Sequence, residues 1–152
     1  MKSFRLMLMG MVLTVLVLAL AAFSVRQQAG SKMTVVEHAD TDAVTDTGAE
    51  GDSVGDILTF ANKIYDEKNE KEIGSDNGYC FRTVAGAAWE CHWILTLEKG
   101  QITVDGPFYD TGDSVLAITG GTGDYATASG QMTLHFRNDQ GTEFDFIYEL
   151  AG

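Results

Sequence analysis

The chain has 152 residues, a length that suits one domain of ordinary size. Hydrophobic residues make up 45% and charged residues 21% of it, a composition typical of a globular protein and not of a disordered one. Its formal charge of −12, from 22 acids against 10 bases, repels a phosphate backbone, so no nucleic-acid partner is expected.

The N-terminus has the pattern of a targeting segment. Lys2 and Arg5 precede an uninterrupted apolar run over residues 6–23, and small residues flank the end of that run. Two alternatives remain open for residues 1–24, a cleaved signal peptide or an uncleaved membrane anchor. With either one, residues 25–32 form a tether and residues 33–152 lie outside the cytoplasm, secreted or held at the membrane.

Beyond residue 33 the hydrophobic pattern has a period of two, which predicts strands. A first strand is expected at residues 33–39, followed by a solvated acidic loop over residues 40–53. Seven further strands are predicted in ILTFANKIY, YCFRTV, WECHWILTL, QITVDGPF, SVLAIT, GQMTLHFR and TEFDFIYEL. Eight strands with short turns and no helix predict an all-β fold, an eight-stranded antiparallel β-barrel, because closure removes the sheet edges.

One face of this predicted sheet is aromatic. Trp89 and Trp93 alternate with polar residues along one strand, and Phe144 and Phe146 do so along the last strand. Two interpretations remain open. These side chains either fill the interior of the barrel or line a pocket for one apolar ligand.

The two cysteines flank a predicted hairpin turn, AGAA. A hairpin at that turn places Cys80 and Cys91 opposite or nearly opposite each other, at a separation that overlaps the disulfide range. Outside the cytoplasm such a pair usually oxidises to a disulfide. The alternative is two separate thiols that line the interior.

Few residues are placed for chemistry. His38, His92 and His135 fall on three different strands without the spacing of metal ligands, so no metal and no cofactor is predicted. Glu37 is the one acid within an apolar strand, where burial would raise its pKa and make it a usable acid or base. The alternative for Glu37 is an exposed position on an edge strand.

A glycine-rich stretch at residues 117–131, AITGGTGDYATASGQ, superficially suggests a phosphate-binding loop. It lacks the Lys-Ser/Thr pair of such loops, and a strand pattern follows it where a helix would be needed. It is therefore predicted to be a tight connection between two strands, where glycines permit a positive φ and close backbone approach.

Several segments resemble, in order and spacing, the plant allene oxide cyclases. They are GDILTFANKIYD, IGSDNGYC, ITVDGPF and LAITGGTGDYATASGQ. Dirigent proteins share this barrel and a similar GGTG loop, and YDEKNEKEIGSDNGYCF is similar to a segment of bacterial Diels–Alder cyclases. The resemblance implies an apolar cavity in which a reactive small molecule is folded for ring closure, in a barrel that is often a trimer.

The resemblance also assigns roles to individual residues. Glu37 in VVEHAD matches the glutamate that assists ionisation of the substrate, and Ala39 stands where the family has an asparagine that holds a water. Cys80 in NGYC matches a cavity residue, which weakens the disulfide alternative. Together with the aromatic face, the predicted substrate-binding set is Phe60, Asn62, Cys80, Trp89, Trp93 and Phe108.

Three functions follow from these patterns. The first is an isomerase-type cyclase that binds a reactive apolar small molecule, with Glu37 as its catalytic group. The second is a dirigent-like or ligand-binding barrel without chemistry of its own, and the third is a filled structural barrel. By resemblance, the expected partners are the small molecule and further copies of the chain.

Overall fold

The computed structural model describes residues 30–151, so the signal peptide or anchor predicted for residues 1–24 lies outside the described residues. The strands are β1 Ser31–His38, β2 Ala43–Thr45, β3 Ile57–Asp66, β4 Glu72–Val84, β5 Ala88–Leu97, β6 Gly100–Tyr109, β7 Ser114–Gly121, β8 Gly130–Phe136 and β9 Glu143–Leu150. A single 3-10 turn covers Gly123–Tyr125. Among the described residues, no helix has the length and apolar character needed to cross a membrane.

The strands form a closed antiparallel barrel. Neighbours in sequence from β3 to β9 pair with each other, and β1 pairs with both β9 and β3, which joins the two ends of the sheet. Eight strands therefore make the ring, as the sequence predicts. The ninth strand, β2, pairs only with β3. It lies on the same edge of β3 as β1 does, next to residues 57–59, whereas β1 pairs with residues 63–66.

Two segments are more ordered than the sequence pattern indicates. The predicted acidic loop contains β2, whose Val44 is paired with Leu58 of β3. Strand β4 begins at Glu72, seven residues before the predicted start at Tyr79. The charges and glycines of KEIGSDNG are typical of a turn, but here they extend a strand that pairs with β3 over residues 72–81 and with β5 over residues 74–84.

Gly78 explains why a glycine lies in the middle of β4. A Cβ atom at this position would come 2.4 Å from the Cβ of Trp93 and 2.4 Å from the carbonyl oxygen of His92 on β5. The absent side chain lets the two strands approach and leaves interior space for the Trp93 indole.

The glycine-rich stretch connects β7 to β8, as predicted. Gly123 has a φ of +60°, and a Cβ there would lie 2.2 Å from the carbonyl oxygen of Lys99. The next backbone N–H, from Asp124, donates to that same oxygen at 2.9 Å. The connection therefore packs directly on the β5–β6 turn, and its glycines are needed for this close approach.

The alternation of the strands places apolar side chains inside the barrel. Trp93, Leu95, Phe146 and Tyr148 are fully buried, and they belong to a core that every strand of the ring joins. The alternate residues of each strand face outward. On β5, for example, His92 lies on the outer face, where its Nδ1 is 2.6 Å from the Asp105 carboxylate. The predicted aromatic inner face is thus the core of the protein.

Candidate active site at the mouth of the barrel

A small cavity lies at one end of the barrel, which we call the mouth end. This end is formed by the turns at residues 85–87, 110–113 and 137–142 and by the loop that follows β1. The cavity has a volume of about 30 Å³, enough for roughly two water molecules. Its lining is Glu37, Asp42, Leu58, Phe60, Cys80, Cys91, Trp93, Phe108, Leu134, Phe144 and Phe146.

Most of the interior is therefore filled, and the cavity is what the aromatic side chains leave open. The rings of Trp93 and Phe146 lie 5.4 Å apart between centroids, and Phe60 meets Trp93 edge-on at 6.0 Å. Closer to the mouth, Phe136 and Phe144 are in edge contact at 5.0 Å. A ligand larger than about two water molecules therefore fits only if side chains of the lining move.

Glu37 is held at the wall of this cavity by Asn62. Its side chain comes from β1 and points inward, where the residue is only 5% exposed. Asn62 Nδ2 donates to Glu37 Oε1 at 2.8 Å and to Asp42 Oδ1 at 2.8 Å. The Asn62 amide is itself fixed, because the backbone N–H and the hydroxyl of Thr41 both donate to its oxygen.

Asp76 is a second buried acid beside Glu37. It projects inward from β4, directly opposite Asn62 in the strand pairing, and is completely buried. Neither of its carboxyl oxygens has a hydrogen-bond partner among residues 30–151. Since the Glu37 carboxyl faces it, one proton shared between the two acids supplies the missing hydrogen bond.

The two acids shift each other's titration. Burial, followed by the neighbouring Asp76 carboxylate, raises the pKa of Glu37 well above its usual range, against the opposing effect of Asn62. Burial raises the pKa of Asp76 from an ordinary 3.8 to about 7. Both shifts favour retention of a proton by the pair near neutral pH, so the two carboxyls together can act as proton donor and acceptor.

Two further polar groups lie near the acid pair. The indole N–H of Trp93 and the hydroxyl of Tyr148 are buried and adjacent to each other, short of a well-formed hydrogen bond. Burial, with Asp76 as the next cause, raises the pKa of the Tyr148 phenol further above its ordinary value, so Tyr148 stays neutral. Both groups are donors close to the acid pair.

The structure brings most of the predicted site residues together. Phe60, Cys80, Trp93 and Phe108 line the cavity with Glu37. Asn62 lies just beneath the lining and acts through its hydrogen bond to Glu37.

Trp89 is the exception, because it lies outside the cavity. Its ring is covered by the Arg82 guanidinium, whose carbon is 4.0 Å from the ring centroid. Arg82 is in turn paired with Asp52 and Asp110 at 2.6 Å each. Trp89 thus supports the ionic network at the mouth end, and that network fixes the acidic loop to the barrel.

Asp76 is a candidate site residue that the sequence does not indicate directly. The predicted strand begins at Tyr79, and Asp76 lies before it in a segment of charged residues and glycines. The signal that could have found it is the period of two: counting back from Cys80, positions 78 and 76 share the inward face.

Cys80 and Cys91 are bonded to each other. They are paired residues of β4 and β5, and their sulfur atoms form a disulfide that is part of the cavity wall. The structure therefore agrees with the disulfide alternative and not with two separate thiols, and Cys80 also lines the cavity, as the family resemblance implies.

Loss of this disulfide is expected to destabilise the barrel by about 3 kcal/mol, because the bond closes a short loop in the unfolded chain. The two cysteines are 11 residues apart. The measurement is the urea midpoint of the oxidised protein, of the protein treated with a phosphine reductant, and of a Cys80→Ala/Cys91→Ala double variant. Three equal midpoints would contradict the prediction.

No metal centre is evident within residues 30–151, where no three His, Cys, Asp or Glu side chains converge in a ligand arrangement. The acid pair and Asp42 are arranged around an amide, Asn62, and not around an open coordination position. The chemistry available at this site from its own residues is therefore proton transfer and electrostatic stabilisation.

Comparison with known proteins identifies the family. The model of the allene oxide cyclase family matches residues 30–138. A solved pyocyanin demethylase shares 28% identity at a TM-score of 0.67, over 78% of this chain and 100% of its own. A pterocarpan synthase dirigent protein has 11% identity and a TM-score of 0.67, over 82% of this chain and 88% of its own.

An exo-specific intermolecular Diels–Alderase has 17% identity and a TM-score of 0.60, over 81% of this chain and 100% of its own. This likeness and that to the dirigent protein show the fold alone. The family match covers most of the barrel, including the strand that carries Glu37. The chain belongs to the allene oxide cyclase family.

Proposed function

We propose that this barrel binds a reactive, mostly apolar small molecule at its mouth and steers its cyclisation. The observation that carries the proposal is the buried Glu37–Asp76 pair at the wall of an aromatic cavity. A family member with a filled interior and no ionisable group would serve only as a scaffold. This one keeps a proton in its interior at neutral pH.

The pair suits an isomerisation in which no atoms are gained or lost. Glu37 lends its proton to an oxygen or a carbon of the substrate, and the ring-forming bond closes while positive charge spreads over the substrate. The carboxylate left behind stabilises that charge and then takes the proton back. Asn62 keeps the Glu37 carboxyl in one orientation throughout, because its own amide is fixed by Thr41.

Cyclisation also requires that the conformation of the substrate be restricted, and the aromatic walls of the cavity do this. Phe60, Trp93 and Phe146 contact one another and present ring faces and edges to the cavity. A flexible molecule held against such walls has few conformations left, and those with reacting atoms in contact react fastest. The neighbours that are Diels–Alderases support this use of the fold.

The small volume of the cavity favours one competing function. A space of about 30 Å³ is what a filled structural barrel would show. A second reaction class, demethylation of a small molecule, is favoured by the 28% identity to the pyocyanin demethylase. One experiment distinguishes cyclisation, demethylation and a filled structural barrel.

The test is to incubate the purified protein with an organic extract of its source culture and to follow the mixture by chromatography and mass spectrometry. Cyclisation converts a compound into an isomer of equal mass with a new retention time. Demethylation gives a product lighter by one CH₂. A filled barrel changes nothing in the extract.

The matched variants are Leu134→Phe and Val115→Phe. Leu134 lines the cavity, and a larger side chain there occupies the free space, whereas Val115 is exposed on the outer face. We expect Leu134→Phe to abolish the isomer and Val115→Phe to leave it unchanged. The proposal fails if the extract is unaltered by the wild-type protein or if both variants act alike.

A further inference from the structure

The connection between β1 and β2 lies across a break in the pairing of β3. Strand β1 pairs with residues 63–66 of β3 and β2 pairs with residues 57–59, so residues 60–62 lie opposite neither strand. Thr41 fills this gap. The backbone N–H of Ala61 donates to Thr41 Oγ1 at 2.8 Å, a hydrogen bond that a neighbouring strand would otherwise supply.

The Thr41 hydroxyl also contacts Asn62. While it accepts from Ala61, it donates its own hydrogen to Asn62 Oδ1 at 2.8 Å, and the Thr41 backbone N–H donates to the same oxygen at 2.9 Å. A backbone N–H can only donate, so it identifies this atom as the amide oxygen and leaves Nδ2 on the other side. The orientation of a buried amide is therefore set by an exposed residue that does not line the cavity.

The orientation of the Asn62 amide decides what the neighbouring acids contact. Its Nδ2 donates to Glu37 Oε1 and to Asp42 Oδ1, each at 2.8 Å. A rotated amide would place its oxygen against these two carboxylates and its hydrogens against the two donors of Thr41, so four hydrogen bonds would be lost together. Thr41 thus keeps a hydrogen-bond donor directed at Glu37.

The hydrogen bond from Asn62 opposes the effects that make Glu37 a weak acid. Burial, and then the neighbouring Asp76 carboxylate, raise the pKa of Glu37, whereas the bond from Asn62 lowers it by stabilising the ionised form. The other titratable groups that face the acid pair are Asp42, in the connection after β1, and Tyr148, from β9. Of these neighbours, Asn62 is the one that makes the Glu37 proton easier to transfer.

We propose that Thr41 is a positioning residue for this acid: by holding the Asn62 amide in one orientation, it enables Glu37 to give up its proton to the substrate. The inference rests on the proposed function, since it concerns the same proton. It differs from a purely structural role, in which Thr41 would stabilise the connection between β1 and β2 and have no effect on the titration of Glu37.

The test is a titration of the Glu37 carboxyl in the purified barrel, by carbon NMR of isotopically labelled glutamate, with Glu37→Gln to assign the signal. Thr41→Val replaces the hydroxyl with a methyl group of similar size and removes one of the two hydrogen bonds to the Asn62 oxygen. We expect the pKa of Glu37 to rise by roughly half a unit to one unit, because the bond that stabilises its carboxylate is weakened. Thr41→Ser keeps the hydroxyl and should titrate like the wild type.

Turnover gives a second readout, which a change in stability alone would not move. Because Thr41 does not line the cavity, Thr41→Val should lower kcat about tenfold and leave KM unchanged. The loss of activity at high pH, where Glu37 gives up its proton, should move upward with the pKa. Thr45→Val is the matched control: Thr45 is exposed on β2, at the same edge of β3, and its replacement should alter neither kcat nor the titration.

A double variant shows whether Thr41 acts through Asn62. In an Asn62→Ala background, Thr41→Val should cause no further change in the pKa of Glu37. An unchanged titration of Glu37 in a folded Thr41→Val barrel would overturn the positioning role, whatever the effect on the melting temperature. If the wild-type barrel alters no compound in the extract, the proposed function fails, and the NMR titration still decides whether Thr41 controls the acidity of Glu37.

Discussion

Replacing Glu37 with glutamine should lower turnover of the isomerising substrate at least about a hundredfold, the contribution typical of a positioned acid–base group. Glutamine preserves the shape of the side chain and can still accept the hydrogen bond from Asn62 Nδ2. It can neither donate a transferable proton nor carry the negative charge that stabilises a cationic transition state. The measurement is kcat/KM, together with the melting temperature of both proteins.

The control for this variant is Glu90→Gln. Glu90 is on the same barrel but points outward from β5, so its loss removes one negative charge without touching the cavity. We expect full turnover from Glu90→Gln and no drop in melting temperature for either variant. Wild-type turnover in Glu37→Gln would remove Glu37 from the mechanism, whatever its surroundings.

Asp76→Asn is expected to stabilise the folded barrel, by up to about 4 kcal/mol near pH 8. Burial raises the pKa of Asp76 from 3.8 to about 7 in the folded protein. The unfolded chain therefore loses this proton first, and the wild type loses stability as pH rises from about 4 to about 7. The variant has no such group, so its advantage is absent at low pH, grows through that window and then stays constant.

Urea unfolding at a series of pH values measures this difference, and Asp105→Asn provides a control of opposite sign. For Asp105, partial burial is outweighed by hydrogen bonds from Thr119 and His92, which lower its pKa in the folded protein. Its carboxylate stabilises the fold above its ordinary pKa, so Asp105→Asn should be less stable than wild type at neutral pH. An Asp76→Asn barrel that is less stable than the wild type at all pH values would contradict the raised pKa of Asp76.

Strand identity was predictable because each ring strand has one buried face. The alternation in β5 and β9 requires no knowledge of the partners, and the turn between Cys80 and Cys91 fixes their register through its length. The resemblance to the family then indicated Glu37, Phe60 and Asn62, which do lie together.

Other features depend on tertiary contacts that the pattern does not contain. Asp76 sits in a segment of charges and glycines, and only pairing on both sides makes that segment a strand. Trp89 has the same parity as Trp93 but is nearer the strand end, where Arg82 covers it. The volume of the cavity depends on the rotamers of the aromatic side chains that line it, and sequence periodicity gives no information about rotamers.

The double pairing of β1 has a consequence for folding kinetics. This strand joins the barrel to itself, with Ser31 opposite Leu150, near the two ends of the described chain. Contacts between residues so distant in sequence are the most expensive in loop entropy and tend to form late. Glu37 also pairs with Ile64 of β3, a contact much nearer in sequence, so the acid pair needs only the β1–β3 pairing and we expect it to form before β1 closes the barrel against β9.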